Sequence, residues 1–408
     1  MENATRLLQE TFGYQGFRPG QEELIRHVLE KKNVLGIMPT GGGKSICYQL
    51  PALLLPGVTL VVSPLIALMK DQVDALVDNG IPATFLNSSL SAMENQSRLQ
   101  DLAQGRYKLL YVAPERLQGG ELVRLLSRIQ VSLIAVDEAH CISQWGHDFR
   151  PSYLALPTLL ATFSGEVPVI ALTATATPQV AKDIQELLNI PDENLVQTSF
   201  QRENLAFSVV KESPDTFLLE YLRMNQSSAG ILYCATRKEV EKQYQRLQHA
   251  GIKVGRYHGG LSEQERTRNQ EDFIYDRIQV MVATNAFGMG IDKSNVRFVI
   301  HQQIPGNLES YYQEAGRAGR DGGPSEAILL YSPQDIQIQH YFIQQSEGDL
   351  AYKQQEYLKL REMNQYAHTQ MCLQRYILRY FGESGSDCGR CSNCLDEGET
   401  VEITKEAQ

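Results

Sequence analysis

From residue 33 to about residue 331 one theme recurs: a short apolar run, a polar or glycine-rich turn, then a helical pattern. Residues 34–38, 59–62, 109–112, 133–136 and 169–172 are the runs of a first series, and 231–233, 280–282, 298–300 and 327–330 those of a second. Apolar runs without polar alternation suit strands buried on both faces, and interposed helices make such strands parallel. The expected fold class is α/β, with two parallel-sheet lobes that meet between Phe200 and Asn204. Residues 349–381 hold no Gly or Pro. That stretch is too long for one average helix, so two helices with a break near Asn364 are expected. The domain limits read as 1–203, 204–333, a small helical unit at 334–396 and an acidic tail at 397–408.

A chain of 408 residues has room for two large domains and a small one. Its 42% hydrophobic and 21% charged residues are ordinary globular usage, which argues against a disordered or coiled-coil chain. No run approaches the ~18 apolar residues of a membrane span, and Glu2, Arg6 and Glu10 leave no secretory signal at the start. Lys and Arg number 38 against 48 acids, a net charge of −10. That excludes a protein that coats nucleic acid indiscriminately but leaves room for a local basic channel. Four of those ten negative charges lie in residues 396–408.

Residues 38–45 read Met-Pro-Thr-Gly-Gly-Gly-Lys-Ser, between an apolar run and a helical pattern from Ile46. This is the strand–loop–helix setting of a phosphate-binding loop. Thr40, Gly41, Gly42 and Gly43 let backbone amides turn towards phosphate, and the helix start adds its positive end. Lys44 would reach the β/γ-phosphates and Ser45 would hold magnesium. The strict pattern has Gly where Met38 stands. Asp137-Glu138-Ala139-His140 follows another apolar run. Alone, it fits a helix start enriched in acids. Beside a phosphate loop it suits metal and water: Asp137 towards magnesium, Glu138 as general base. Together the two motifs point to nucleoside-triphosphate hydrolysis.

Three of the seven cysteines, Cys47, Cys141 and Cys234, are scattered, and read as packed thiols. Cys372, Cys388, Cys391 and Cys394 lie within one short stretch. In a cytosolic chain four such thiolates make a closed tetrahedral zinc site, with an iron–sulfur cluster as the alternative.

Asp-Glu-Ala-His inside a two-lobe phosphate-loop chain resembles superfamily 2 helicases, and within them the RecQ DNA helicases, from Phe12 to Cys394. The segment around Tyr14, Arg18 and Gln21 resembles the family's adenine-reading motif: Gln21 both donates and accepts, while Tyr14 and Arg18 offer planes for stacking. The stretch from Cys141 to Tyr153, with the only Trp, resembles the family's aromatic-rich loop. Trp145 and Phe149 can stack on bases, and His147 and Arg150 belong to the same DNA-binding and coupling loop. Residues 63–72, 111–117, 172–176, 233–237, 257–261 and 282–293 resemble further family motifs. Residues 313–322 resemble the arginine motif. There Arg320 is expected as the finger on the γ-phosphate, with Gln313 and Arg317 at the nucleotide or between lobes.

The resemblance implies two RecA-like lobes and a helical zinc-binding domain, with ATP, magnesium and zinc as cofactors. It implies an ATP-dependent DNA helicase that moves 3′-to-5′ on single-stranded DNA and separates duplexes in repair and recombination. Single-stranded and tailed duplex DNA are its partners, no membrane is involved, and the chain is expected to be a monomer in the cytoplasm, at the nucleoid. Three departures stand out. Residues 301–304, His-Gln-Gln-Ile, lack the family's acid. Leu373 and Gln374 stand where many relatives carry arginines. The chain ends 14 residues after Cys394, so the winged-helix and HRDC domains of relatives are expected to be missing, and a DNA translocase or strand remodeller with weak unwinding is the alternative activity.

Overall fold

The computed structural model describes residues 1–118, 120–163, 167–288 and 293–396. Thirteen strands in these residues form two all-parallel sheets. The first contains β1 (Val34–Ile37), β2 (Val58–Val62), β3 (Ala83–Leu86), β4 (Leu109–Val112), β5 (Val131–Val136), β6 (Val169–Thr173) and β7 (Leu195–Gln197). Their spatial order is β3-β4-β2-β5-β6-β1-β7. The second contains β8 (Leu205–Val210), β9 (Ala229–Tyr233), β10 (Val254–Tyr257), β11 (Val280–Ala283), β12 (Val296–His301) and β13 (Ser325–Leu330), in the order β10-β11-β9-β12-β13-β8.

The nine apolar runs of the sequence are β1, β2, β4, β5, β6, β9, β11, β12 and β13, the interior strands of both sheets. Helices cover both faces, so every residue of β1, β2, β4 and β6 is buried. The four remaining strands, β3, β7, β8 and β10, are the four sheet edges. An edge strand has one neighbour and one open side, which relaxes the demand for apolar residues; β10, Val-Gly-Arg-Tyr, is buried only at Gly255.

Sheet order decides where chemistry collects. In α/β sheets ligands bind beyond the carboxyl ends of the strands. Here β2, β5, β6 and β1 are neighbours and end together, with Val62 beside Val136, Val136 beside Ala171 and Ile37 beside Thr173. The residues that follow, Ser63, Asp137, Ala174 and Met38, therefore share one rim.

The break in the C-terminal helical stretch falls later than the sequence suggested. One helix runs over Leu350–His368 and the next over Leu373–Tyr380, so Asn364 is helical. The linker is tied by the cysteine loop: the Asn393 amide donates to Thr369 O at 2.7 Å and to Met371 O at 2.9 Å. The sulfur of Cys372 then caps the second helix by accepting from Arg375 N. A helix-forming sequence is thus interrupted from outside. One buried apolar cluster runs from Leu35 through Phe200 and Tyr311 to Tyr366 and Phe381, joining both lobes to the helical unit. The acidic tail 397–408 and residues 289–292 of the 282–293 motif lie outside the described residues.

Candidate functional site

The loop from Met38 to Ser45 bends back at Gly41 and Gly43, with φ of 86° and 75°. Only glycine adopts such angles cheaply. The loop is braced from the N-terminal segment. Gln21, on the helix Gln21–Leu29, donates to Gly42 O at 3.2 Å and Gly43 O at 3.0 Å, and accepts from Arg18 N at 2.8 Å. The Arg18 guanidinium donates to Gly41 O. Of the expected adenine-reading trio, Tyr14 keeps an open face at 49% exposure, whereas Gln21 and Arg18 are engaged with the loop backbone. Lys44 Nζ lies 3.4 Å from Met38 O, curled across the loop.

Asp137 and Glu138 leave β5 into this rim. Ser63 Oγ donates to Asp137 Oδ2 at 3.4 Å and the Glu138 amide to Asp137 Oδ1 at 3.0 Å. Burial, then the neighbouring Glu138, pushes the Asp137 carboxyl up to about 7, against the pull of Lys44. Burial likewise raises Glu138, opposed by Lys44 and Arg317. Two desolvated acids side by side are a poor resting arrangement and a good cation and water site. Glu138 also has a φ of 48°, a left-handed backbone that a non-glycine residue adopts only under constraint.

His140 Nδ1 lies 2.9 Å from Thr173 Oγ1 and 3.3 Å from Glu138 Oε2. Thr173 gives its own hydroxyl proton to Thr175 O at 3.1 Å, so it accepts from His140 and the imidazole carries its proton on Nδ1. Burial pushes the His140 pKa down to about 3, which keeps the ring neutral. His147 stacks on it with centroids 4.1 Å apart. Gln313 of the second lobe lies near enough to His147 to act on its ring. Groups from the helix Leu308–Ala315, the stacked imidazoles and the acidic motif thus line up across the cleft, while Arg317 and Arg320 lie in the turn after that helix.

The rest of the aromatic loop divides in two. Trp145 is 44% exposed and Phe149 half-buried. Arg150 is held internally, with Nη2 on Asp148 at 2.9 Å and Nη1 on Pro64 O at 3.2 Å. Tyr153, at the end of the aromatic-rich stretch, donates from its hydroxyl to Asp137 O at 3.0 Å. The loop therefore turns an aromatic face outward and its imidazole inward.

The second lobe reaches the phosphate loop directly. The Arg320 side-chain stem lies over Gly41, where a Cβ would sit 3.5 Å from its Cγ. Arg317 is buried and donates to Gly288 O. At the acid-deficient stretch, Gln303 Oε1 accepts from Ala235 N at 3.0 Å. His301 pairs with Glu314 at 2.7 Å.

Cys372, Cys388, Cys391 and Cys394 converge with all sulfurs within 4.8 Å of one another, and none of them is in a disulfide. Cys391 and Cys372 are 3.8 Å apart, the separation that Zn–S bonds of about 2.3 Å give in a tetrahedron. Backbone amides of Leu373, Arg375, Cys388 and Cys391 point at these sulfurs. Such donors favour thiolates and orient metal ligands. Burial raises Cys391 to about 12. Burial also raises Cys372, but the Arg375 and Cys388 amides overcome it and hold that thiol below its ordinary value. Leu373 and Gln374 are buried. Gln374 accepts from Arg390, which also donates to Arg202 O. They pack the unit onto the interlobe linker.

Two RecA-like lobes with a phosphate loop on one, an arginine over it from the other, and a four-cysteine unit beside them define a zinc-binding helicase core. Three family models match in sequence: DEAD/DEAH box helicase over residues 18–184, helicase conserved C-terminal domain over 214–322 and RecQ zinc-binding over 333–395. The chain belongs to the RecQ family of ATP-dependent DNA helicases. It is 56% identical to the ATP-dependent DNA helicase RecQ of Bacillus subtilis, over 100% of this chain and 69% of that protein. It is 45% identical to RecQ of Haemophilus influenzae, over 99% of this chain and 65% of the other. Among solved structures, the DUF1998 helicase MrfA bound to DNA superposes with a TM-score of 0.68 at 20% identity, covering 95% of this chain and 60% of that one.

Proposed function

We propose that this chain hydrolyses ATP in the cleft between its lobes and uses the cycle to move 3′-to-5′ along single-stranded DNA and part duplexes, in DNA repair and recombination. The placement of Arg320 over Gly41 carries the reading. A phosphate held by the loop then lies between groups from both lobes, so binding draws the lobes together and loss of phosphate releases them.

In this mechanism the loop amides and Lys44 orient the β- and γ-phosphates. Ser45 and Asp137 offer the hard oxygen donors that magnesium takes, and the raised Asp137 carboxyl fits a cation beside it. That ion, when bound, neutralises phosphate charge. Glu138 takes the proton of the attacking water. Arg320 meets the charge that grows on the γ-phosphate, a contribution of about 10³–10⁵ in rate in such reactions. Gln313 and Arg317 link the nucleotide state to the lobe interface. On the DNA side, Trp145 and Phe149 stack on bases while His147 transmits the loop's position to His140 and Glu138. Local binding groups in an acidic chain give salt-sensitive affinity. No helix of the described residues is long and apolar enough to cross a membrane. A cytoplasmic, nucleoid-associated monomer is the accompanying proposal.

The test compares ATP turnover and strand separation on 3′-tailed, 5′-tailed and RNA substrates. We expect turnover stimulated by single-stranded DNA and separation of the 3′-tailed duplex. Stimulation by RNA but not DNA would sink the assignment, and stimulated turnover without separation on either tail would leave a translocase.

A further inference from the structure

Lys359 lies on the helix Leu350–His368 of the zinc-binding unit and is 7% exposed. Its ammonium donates to Gly146 O at 2.8 Å and to Glu356 Oε1 at 2.8 Å. Gly146 stands between Trp145 and His147 in the aromatic loop, 213 residues away in sequence. The glycine is pressed onto the acidic motif: a Cβ there would lie 2.2 Å from His140 O. Lys359 therefore grips the loop at the point where it touches His140.

A buried ammonium is costly unless it is paired and hydrogen-bonded, so packing alone does not account for it. Two acids share it. Glu356 is its direct partner. Glu309, on the helix that also carries Gln313, lies near enough for the Lys359 charge to act on it. Glu309 is buried, and its Oε2 accepts no hydrogen bond. Lys359 thus stands where the zinc-binding unit, the first lobe's aromatic loop and the second lobe's helix Leu308–Ala315 meet.

We propose that Lys359 is a positioning residue for ATP hydrolysis: it fixes the Gly146 carbonyl and, through the His147–His140 stack, holds Glu138 and Thr173 in register with the DNA-facing Trp145. This rests on the reading that the aromatic loop couples DNA to hydrolysis. Being buried and spent on internal acceptors, Lys359 acts on the response to DNA rather than on DNA affinity.

The experiment uses the zinc-loaded chain and a fluorescein-labelled oligothymidylate. Lys359→Met should lower the maximal DNA-stimulated turnover about tenfold, the scale of one lost charge-assisted hydrogen bond. Affinity for the oligonucleotide should stay within about threefold, since no phosphate contact is lost. Trp145 is the only tryptophan, so its emission reports the loop. It should be more open to acrylamide quenching in Lys359→Met before DNA is added. Lys359→Arg, whose guanidinium can donate to both acceptors, should recover most of the rate. An unchanged stimulated rate with unchanged Trp145 quenching overturns the proposal, as does a rate that falls only in step with affinity. If Lys359→Met loses zinc, Lys359→Gln keeps a neutral donor for Gly146, and a wild-type rate in that variant overturns the role of the charge. Wild-type turnover that DNA does not raise sinks the coupling reading itself, whatever Lys359 does.

Discussion

The nucleotide cleft and the cysteine centre both gather groups that resist being together. The cleft half-buries two adjacent carboxyls, and the centre brings four thiols within 4.8 Å. They differ in where their parts come from. The cysteines lie on one short stretch of a single unit, locked by backbone amides. The cleft draws Lys44, Asp137 and Arg320 from the ends of separate strands and helices on two lobes. A site built from one stretch can be closed once and stay closed. A site split between bodies can open and close, which a motor needs and a structural centre must avoid.

The largest expected effect tests the rigid member. Cys391→Ser removes the most buried of the four ligands, at 0% exposure. Zinc binding contributes about 10–16 kcal/mol to folding of small zinc units. The variant should lose its zinc, from about one per chain, and expose the region around 334–396 to limited proteolysis. The damage should spread to the hinge, because Glu383 accepts from Phe200 N at 2.8 Å and Phe381 stacks on Phe200 at 4.4 Å. A proteolysis pattern like the wild type's would mean that the centre is not what holds this unit.

The next effect tests the adjustable member. Arg320→Lys keeps the charge but loses the planar fork. Turnover should fall by about 10²-fold or more while ATP affinity changes little, because the proposed finger acts on charge that develops during transfer. Zinc content and thermal midpoint should stay as they are, so the two sites fail separately. A proportional rise in KM with unchanged kcat would make Arg320 a binding group instead.

The same contrast explains what the sequence disclosed. The interior strands were legible because helices on both faces exclude polar residues. The edges β3, β7, β8 and β10 were not, because one open side tolerates Arg256 or Gln197. Lys44, Asp137, Glu138 and the cysteines could be picked out because each lies in a short motif whose spacing carries the chemistry. The inward turn of His147, the bracing of the loop by Gln21 and the grip of Lys359 on Gly146 are contacts between distant segments. No local pattern announces them. Lys359 in particular reads as an ordinary surface lysine of a polar helix until the fold buries it.

The smallest effect sharpens the comparison at the joint between the zinc-binding unit and the second lobe. Asp335 opens the helix Asp335–Gln345, which Gln339 anchors to Ile304 O at 2.7 Å. Burial raises the Asp335 carboxyl from 3.8 to about 6, against the pull of the Ser332 and Ile304 amides. The folded chain then holds this proton more tightly than the unfolded one. Its contribution to stability is fully present below about 3.8 and is lost as pH rises through about 6. Asp335→Asn should therefore be the more stable form at pH 7, on the order of 1 kcal/mol after allowance for solvent screening. The gap in thermal midpoint should close as the pH is brought down to 5 and below. Neither the cleft nor the zinc is touched, so turnover at pH 7 should not follow the midpoint. A gap that widens on acidification would mean that the Asp335 carboxylate stabilises the joint as an anion, making this junction an electrostatic clasp rather than a packed one.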